Sequence, residues 1–190
     1  MGSVGEITDE RQAAEHEAAL VAAAREDPAA FGVLYQAYLP RVYRFPRARA
    51  TTDAEAADLT QEVFVRALAA ILRYRERGLP FAAWLFRIAR NVATDAARRR
   101  RPTVSWEHVP EPEHPAHPAD PARAALDREA MERLRALIAA LDEEKRDLLA
   151  LRIGAGLSIR EISATVGKSE AAVRKQLART LATLKDQHDA

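Results

Sequence analysis

A chain of 190 residues, 48% of them apolar and 30% charged, is long enough for one mid-sized domain or two small ones. The lack of cysteine excludes a disulfide framework and a thiolate metal site, and no apolar run approaches the ~18 residues of a membrane span. The formal net charge of +1 hides an uneven distribution, because residues 66–101 carry ten arginines against Glu76 and Asp95, between acidic flanks. Such a block is either a solvated helix face or a surface that attracts phosphate and releases its counterions. Glycine is scarce while Ala, Leu, Arg and Glu dominate, a composition that favours helix. No run of alternating β-branched residues suggests a strand, so the expected class is all-α. The first 25 residues lack the basic start and apolar core of a secretory signal, and a cytoplasmic protein is expected.

In chain order, Thr8 to Glu26 reads as an acidic, Ala-rich helix with a weak apolar stripe. Asp27-Pro28 caps and opens a second helix, with Phe31, Leu34, Tyr35 and Tyr38 on one face. Pro40 permits a fresh start through Val42, Tyr43 and Phe45, and Pro46 predicts a kink or an end. Thr52-Asp53 caps a third helix with Ala56, Leu59, Val63, Ala67 and Leu68 at helical spacing. Gly78-Leu79-Pro80 is a break. Phe81, Trp84, Leu85, Ile88 and Val92 then mark a helix that runs into Arg98-Arg99-Arg100-Arg101 and ends at Pro102. Residues 102–121 hold six of the ten prolines and no periodicity, and read as an extended tether able to reach roughly 60 Å. The expected organisation is an acidic helical extension over 1–27, a helical module over 28–101, the acidic Pro-rich linker over 102–121, and a second helical module over 122–190.

The second module contains the clearest local pattern. Leu141, Leu148, Leu149, Leu151 and Ile153 give a leading helix that stops at Gly154-Ala155-Gly156. Ser158 with Glu161 forms a capping box for a short helix whose apolar face is Ile159, Ile162 and Val166. Gly167 supplies a left-handed turn and Ser169 caps the last helix. There Val173, Leu177, Leu181 and Leu184 face one way, while Arg174, Lys175 and Arg179 face another, with Ala171 and Ala178 between them. Two helices, a glycine turn and a second helix with separate apolar and basic faces suit the major groove of DNA, where arginine pairs bidentately with guanine. Glu170 fits two readings: it can accept from cytosine, or simply favour the helix N-terminus.

Three stretches in order resemble the sigma factors of bacterial RNA polymerase, specifically the short extracytoplasmic-function type. Asp58-Leu59-Thr60-Gln61-Glu62-Val63-Phe64-Val65-Arg66 looks like the family's core-polymerase-binding helix. Phe81-Ala82-Ala83-Trp84-Leu85-Phe86-Arg87-Ile88-Ala89-Arg90-Asn91, followed by Asp95 and the arginine run, looks like the helix that opens and reads the −10 element. Leu157 to Ile162 and Ser169 to Arg174 look like the −35-reading helix-turn-helix. The resemblance implies a polymerase-binding face of Asp58, Leu59, Gln61, Glu62 and Val65. It implies −10 contacts among Tyr74, Arg75, Phe81, Trp84, Arg87, Arg90, Asn91, Arg98 and Arg99, where aromatic rings stack on unpaired bases and cations hold the backbone. Phe81 and Trp84 are expected to serve mainly the core. The −35 contacts implied are Ser169, Glu170, Ala171, Arg174, Lys175, Ala178 and Arg179.

The chain departs from the family pattern in places. Ala171-Ala172 stands where Gly-Thr is common, removing a hydroxyl that touches phosphate. Ser163 replaces a usual alanine, the segment from Pro46 to Thr52 is irregular, and the first 27 residues have no counterpart. The partners implied are the beta and beta-prime subunits of core polymerase, promoter DNA and an anti-sigma protein. The linker is implied to thread the polymerase cleft, where its Glu107, Glu111, Glu113 and Asp120 suit a basic channel. His108, His114 and His117 raise a metal reading, but without cysteine or an ordered acid nearby a solvated tether accounts for them. No nucleophile–base pair or phosphate loop is visible, so neither catalysis nor a cofactor is expected. A free-standing helix-turn-helix regulator and a sigma-like adaptor that sequesters an anti-sigma protein are the alternatives. The Asp58–Arg66 motif argues against the first, and retention of Arg174, Lys175, Arg179 and the 98–101 arginines argues against the second.

Overall fold

The computed structural model describes residues 4–75, 80–99 and 121–188, with side chains from residue 15 onward in the first helix and from 129 onward in the fifth. Among the described residues there are eight α-helices and no strand: α1 (Val4–Glu26), α2 (Phe31–Arg47), α3 (Asp53–Ala70), α4 (Phe81–Arg99), α5 (Pro121–Ala140), α6 (Glu143–Leu149), α7 (Ile159–Val166) and α8 (Glu170–His188). Residues 76–79, including Gly78 and Leu79 of the break, and residues 100–120, including Arg100, Arg101 and most of the tether, lie outside the described residues.

The Asp27 carboxylate accepts from the Ala29 N–H at 2.8 Å, and Pro28 takes the first position of a 3-10 turn, where its missing N–H goes unmissed. Where the prolines predict a restart at Pro40 and a kink or stop at Pro46, α2 instead runs through both to Arg47. Pro40 and Gln36, whose carbonyl loses its helical donor, are both exposed, so water can satisfy that acceptor. Pro46 falls in the last turn, and its carbonyl receives the Arg49 and Ala50 N–H groups at 2.9 and 2.7 Å. Thr52 caps α3 by accepting from the Glu55 N–H at 3.1 Å, and Glu55 reaches back to Thr51.

Phe31, Leu34, Val42 and Phe45 of α2, Leu59, Val63 and Phe64 of α3, and Phe81, Leu85, Phe86 and Val92 of α4 are buried in one cluster. Phe45 and Phe86 meet edge to face at 6.1 Å between ring centroids. The last turns of α1 join this cluster through Val21 and Ala24, and the Tyr38 hydroxyl donates to Glu17. That part of the acidic 1–27 segment is therefore packed against the module.

In the C-terminal half, Arg146 donates to the carbonyls of Ala139 and Leu141 at 3.1 and 2.7 Å, satisfying acceptors around the end of α5. Asp142 caps α6, which passes into one π turn over Ala150–Gly154 that leaves Ile153 in solvent. The Ser158–Glu161 capping box closes at both of its bonds. Gly167 takes the left-handed φ of 73° that turns α7 into α8. Ser163 supports that turn: its hydroxyl donates to the Lys168 carbonyl, while its own carbonyl accepts from Gly167 and Lys168. On α8 the buried seam is Val173, Leu177, Thr180 and Leu184. Leu181, which spacing alone assigns to that seam, is 45% exposed.

The two halves pack together. α7 lies on α4, and the π turn lies on α2 so closely that a Cβ on Gly154 would sit 3.3 Å from the Arg44 carbonyl oxygen.

Candidate nucleic-acid interface

On α3, Asp58, Gln61 and Val65 are exposed and Glu62 is half-buried. Leu59, predicted with them, is corrected to a core residue: it shares the inner stripe with Ala56 and Val63, one turn away on either side. Leu68, predicted inside, turns to solvent, and Leu72 beyond it is 66% exposed. Positions 58, 61, 65, 68 and 72 advance by alternating steps of three and four, the spacing of a seam that takes another helix. Of these, Val65, Leu68 and Leu72 are exposed apolar side chains, beside exposed Asp58 and Gln61. Leu72 is missed by sequence reasoning, although the three–four spacing that includes it is present in the sequence.

Glu62 also ties α3 to α4. It pairs with Arg66 at 2.5 Å and with Arg99 at 3.8 Å, and Arg66 reaches Asp95 at 3.2 Å. Slight burial opposes the charge on Arg66, but its hydrogen bonds to Asp95 and Glu62 outweigh this and hold its pKa above the ordinary value. Arg66, Asp95, Arg98 and Arg99 line an open depression of about 410 Å³.

At the start of α4, Tyr74 and Phe81 are buried and Trp84 is half-buried. The Tyr74 ring lies 5.5 Å from Phe81 and 5.1 Å from Trp84, centroid to centroid. Tyr74, predicted among the −10 contacts, is corrected to a core ring in this conformation, because a base has no open face of it to stack on, while Phe81 lies in the core as expected. Arg75, Asn91, Arg98 and Arg99 are exposed. Arg87 and Arg90 are not idle: Arg87 donates to the Ala164 carbonyl at 2.8 Å, and Arg90 to Asp147 at 2.6 Å. Both acceptors belong to the C-terminal module.

Ser169, Ala171, Arg174, Lys175, Ala178 and Arg179 are exposed, opposite the buried seam of α8. The Ser169 hydroxyl accepts from the Ala172 N–H at 3.2 Å. Half-buried Glu170 pairs with Arg174 at 2.6 Å.

Sequence reasoning also misses Arg41 and Arg49. Arg41 donates to the Ala155 carbonyl at 3.1 Å and reaches Glu161 at 3.4 Å. Arg49 reaches Glu143 at 3.1 Å and pairs with Asp147, which is 1% exposed. Burial pulls the Arg49 pKa below the ordinary value, and the Glu143 hydrogen bond resists that. No local signal marks these residues, since their partners lie 94 to 120 positions away.

Residues 34–103 match the family described as Sigma-70 region 2, and residues 131–184 match the family described as Sigma-70, region 4. The chain is 34% identical over 152 residues to the ECF RNA polymerase sigma factor SigD of Mycobacterium tuberculosis, covering 78% of this chain and 72% of that protein. It is 34% identical over 158 residues to the ECF RNA polymerase sigma factor BldN of Streptomyces coelicolor, covering 82% of this chain and 59% of the other. Among solved structures it is similar to CnrH in complex with the cytosolic domain of CnrY, at 27% identity and a TM-score of 0.67, over 91% of this chain and 97% of that one.

Proposed function

Since the chain belongs to the extracytoplasmic-function group of the sigma-70 family, we propose that its two modules divide promoter recognition between them. As a sigma factor it binds core RNA polymerase and directs promoter-specific transcription initiation. The family is one of regulators, and the polymerase carries the chemistry. The N-terminal module docks on core polymerase through Asp58, Gln61, Glu62 and Val65. It meets the −10 element through Arg75 ahead of α4 and through Arg87, Arg90, Asn91, Arg98 and Arg99 along it. The C-terminal module reads the −35 element through the exposed face of α8. An anti-sigma protein is a further partner, a reading supported by the similarity to CnrH, whose solved structure holds the cytosolic domain of CnrY.

The observation that carries this reading is the separation of faces on α8. Val173, Leu177, Thr180 and Leu184 are buried, while Ala171, Arg174, Lys175, Ala178 and Arg179 face solvent. The helix is thus fixed by one side and free to enter a groove with the other. On α3, a charged and apolar row stands uncovered in the same way.

Run-off transcription with core polymerase and genomic promoter fragments tests the reading. The full chain is expected to direct discrete initiation that core polymerase alone does not. Replacing Asp58, Gln61 and Val65 together with alanine, all of them exposed, is expected to abolish co-purification with core polymerase and leave thermal unfolding unchanged. Undiminished co-purification would remove the docking face from the assignment.

A further inference from the structure

Aromatic rings from three parts of the N-terminal module meet around the start of α4. Tyr38 of α2 meets Phe81 edge to face, with ring centroids 5.4 Å apart. Phe81 lies 5.5 Å from Tyr74 and 5.2 Å from Trp84, and Tyr74 closes the set against Trp84 at 5.1 Å. Tyr38, Tyr74 and Phe81 are buried, whereas Trp84 reaches the surface. Tyr74 and Phe81 stand on either side of the 75–80 segment, so the contact between their rings fixes how far apart its ends lie. Arg75 follows directly on Tyr74, and Arg87 comes three residues after Trp84.

Tyr38 joins this ring set to the N-terminal helix. Its hydroxyl donates to half-buried Glu17 of α1, and the Arg41 guanidinium stands 5.6 Å from the centre of its ring. α1 is anchored by Val21 and Ala24. It lies on α2, on α4 and on the 3-10 turn Ile71–Arg73 that leads into Tyr74.

We propose that Tyr38, held by Glu17, is a positioning residue for promoter opening. Through Phe81 and Tyr74 it fixes Arg75 and Trp84 where unpaired bases of the −10 element meet them. The proposal rests on the reading of Arg75 and α4 as the −10-facing part of the module, and extends it to two residues outside that face. Tyr38, only 6% exposed, touches no DNA itself. The last turns of α1, which have no counterpart in the family pattern, thereby gain a part in opening.

The physical reason is preorganisation. A base that leaves the duplex gives up its stacking and its pairing. A receiving site that is already ordered adds no further entropy loss to that cost. Rings in edge-to-face contact hold one another in place, and the Tyr38 ring can shift only by breaking its bond to α1 or its contact with Phe81. A shift there reaches Arg75 and Trp84. It does not reach the recognition face of α8 or the exposed row of α3, so opening should suffer alone.

The test uses the full chain with core polymerase, on a promoter found by run-off transcription. Assembly with core polymerase, affinity for a −35-containing duplex without the −10 element, and the rate of opening are measured, the last from a fluorescent base analogue in the −10 element. Tyr38→Phe keeps the ring and loses the hydroxyl, and is expected to slow opening by up to roughly tenfold, the full worth of one hydrogen bond. Tyr38→Leu also loses the ring contact, and is expected to slow it by a further factor of about two to ten. Both are expected to leave assembly and −35 affinity within about twofold of wild type. On single-stranded −10 oligonucleotides carrying every single-base change, Tyr38→Leu is expected to flatten the preference at one position, which a general loss of stability would not do. Should Tyr38→Leu fail to fold, Tyr38→Phe decides. Opening at the wild-type rate in every variant that folds would overturn the proposal, and so would equal losses in all three quantities. Wild-type opening in both Arg75→Ala and Trp84→Ala would instead overturn the −10 reading beneath it.

A second arm isolates the link to α1. Glu17→Ala is expected to slow opening, and its combination with Tyr38→Phe to be no slower than the slower single variant, since both remove one bond. Fully additive losses would refute that link. Trp106→Phe leaves Trp84 as the only tryptophan, and its emission is expected to shift when Tyr38→Leu is added. Emission identical to that of the parent would show that the ring set does not depend on Tyr38, and would overturn the positioning role.

Discussion

Glu170 and Arg174 allow a direct test of how the recognition helix works. The two side chains pair at 2.6 Å one turn apart, with 41% and 62% of their surfaces exposed. An exposed i, i+4 pair of this kind contributes about 0.3–0.5 kcal/mol. To hold a guanine edge, Arg174 must leave it. A bidentate contact to guanine discriminates by about 1–3 kcal/mol, so base contact outweighs the pair it replaces. Arg174→Ala is thus expected to weaken binding to a −35-containing fragment by roughly 5- to 150-fold and to relax preference at one base pair. Glu170→Gln separates the two roles open to the acid. If Glu170 only restrains Arg174, its removal strengthens binding about twofold, the equivalent of the lost pair. If it accepts from a cytosine amino group, binding falls by about 1–3 kcal/mol and the loss maps to a second base pair. The assay is fluorescence anisotropy of holoenzyme on fragments carrying every single-base change in the −35 element. A uniform loss across all fragments for Arg174→Ala would show that the residue touches phosphate only, and would refute the base-reading geometry.

Stability and pH give further checks. Gly167→Ala meets no atom within 4 Å, so its cost is the left-handed backbone alone, about 1–2 kcal/mol, or roughly 2–8 °C in melting temperature. A larger loss by calorimetry would mean that the turn is packed rather than merely strained. Phe86→Ala empties a fully buried site opposite Phe45 and is expected to cost about 3–5 kcal/mol by denaturant unfolding. Glu143 sets the pH dependence of closure. Burial raises its pKa, but the Arg49 hydrogen bond outweighs this and holds it below the ordinary value. Its contribution is therefore complete above the usual carboxylate pKa of about 4.3 and is lost as pH falls through the lowered folded value. Inter-module fluorescence transfer should stay flat from about pH 8 to pH 6 and fall only in acid, and an opening near neutrality would contradict that sign.

What was legible in the sequence was local. Asp27, Thr52, Ser158 and Ser169 act as caps through one or two backbone bonds each, and Gly167 through its own φ. Residue types within four positions decide such features. Helical phase was less legible. Ala67 and Leu68, or Thr180 and Leu181, differ by about 100° on the helix, and hydrophobicity favours the leucine at each pair. The structure buries the smaller residue instead, because neighbouring helices set which side faces in and approach most closely over small side chains. The prolines of α2 mislead for a similar reason: whether a lost hydrogen bond matters depends on whether the orphaned carbonyl meets water.

The contact between modules was illegible because it is built wholly from distant pairs. Arg41 finds Ala155 and Glu161 across 114 and 120 residues, and Arg90 finds Asp147 across 57. Only the charge blocks hinted at it. A net charge of +1 is a weak endowment for a protein that must meet two segments of DNA, but it is a sum over regions of opposite sign. In the closed chain those regions satisfy one another: Glu143, Asp147 and Glu161 neutralise arginines of the N-terminal module, while the cations of α8 stay in solvent. The face that reads the −35 element is thus available in the free chain, whereas Arg87 and Arg90 are engaged with protein.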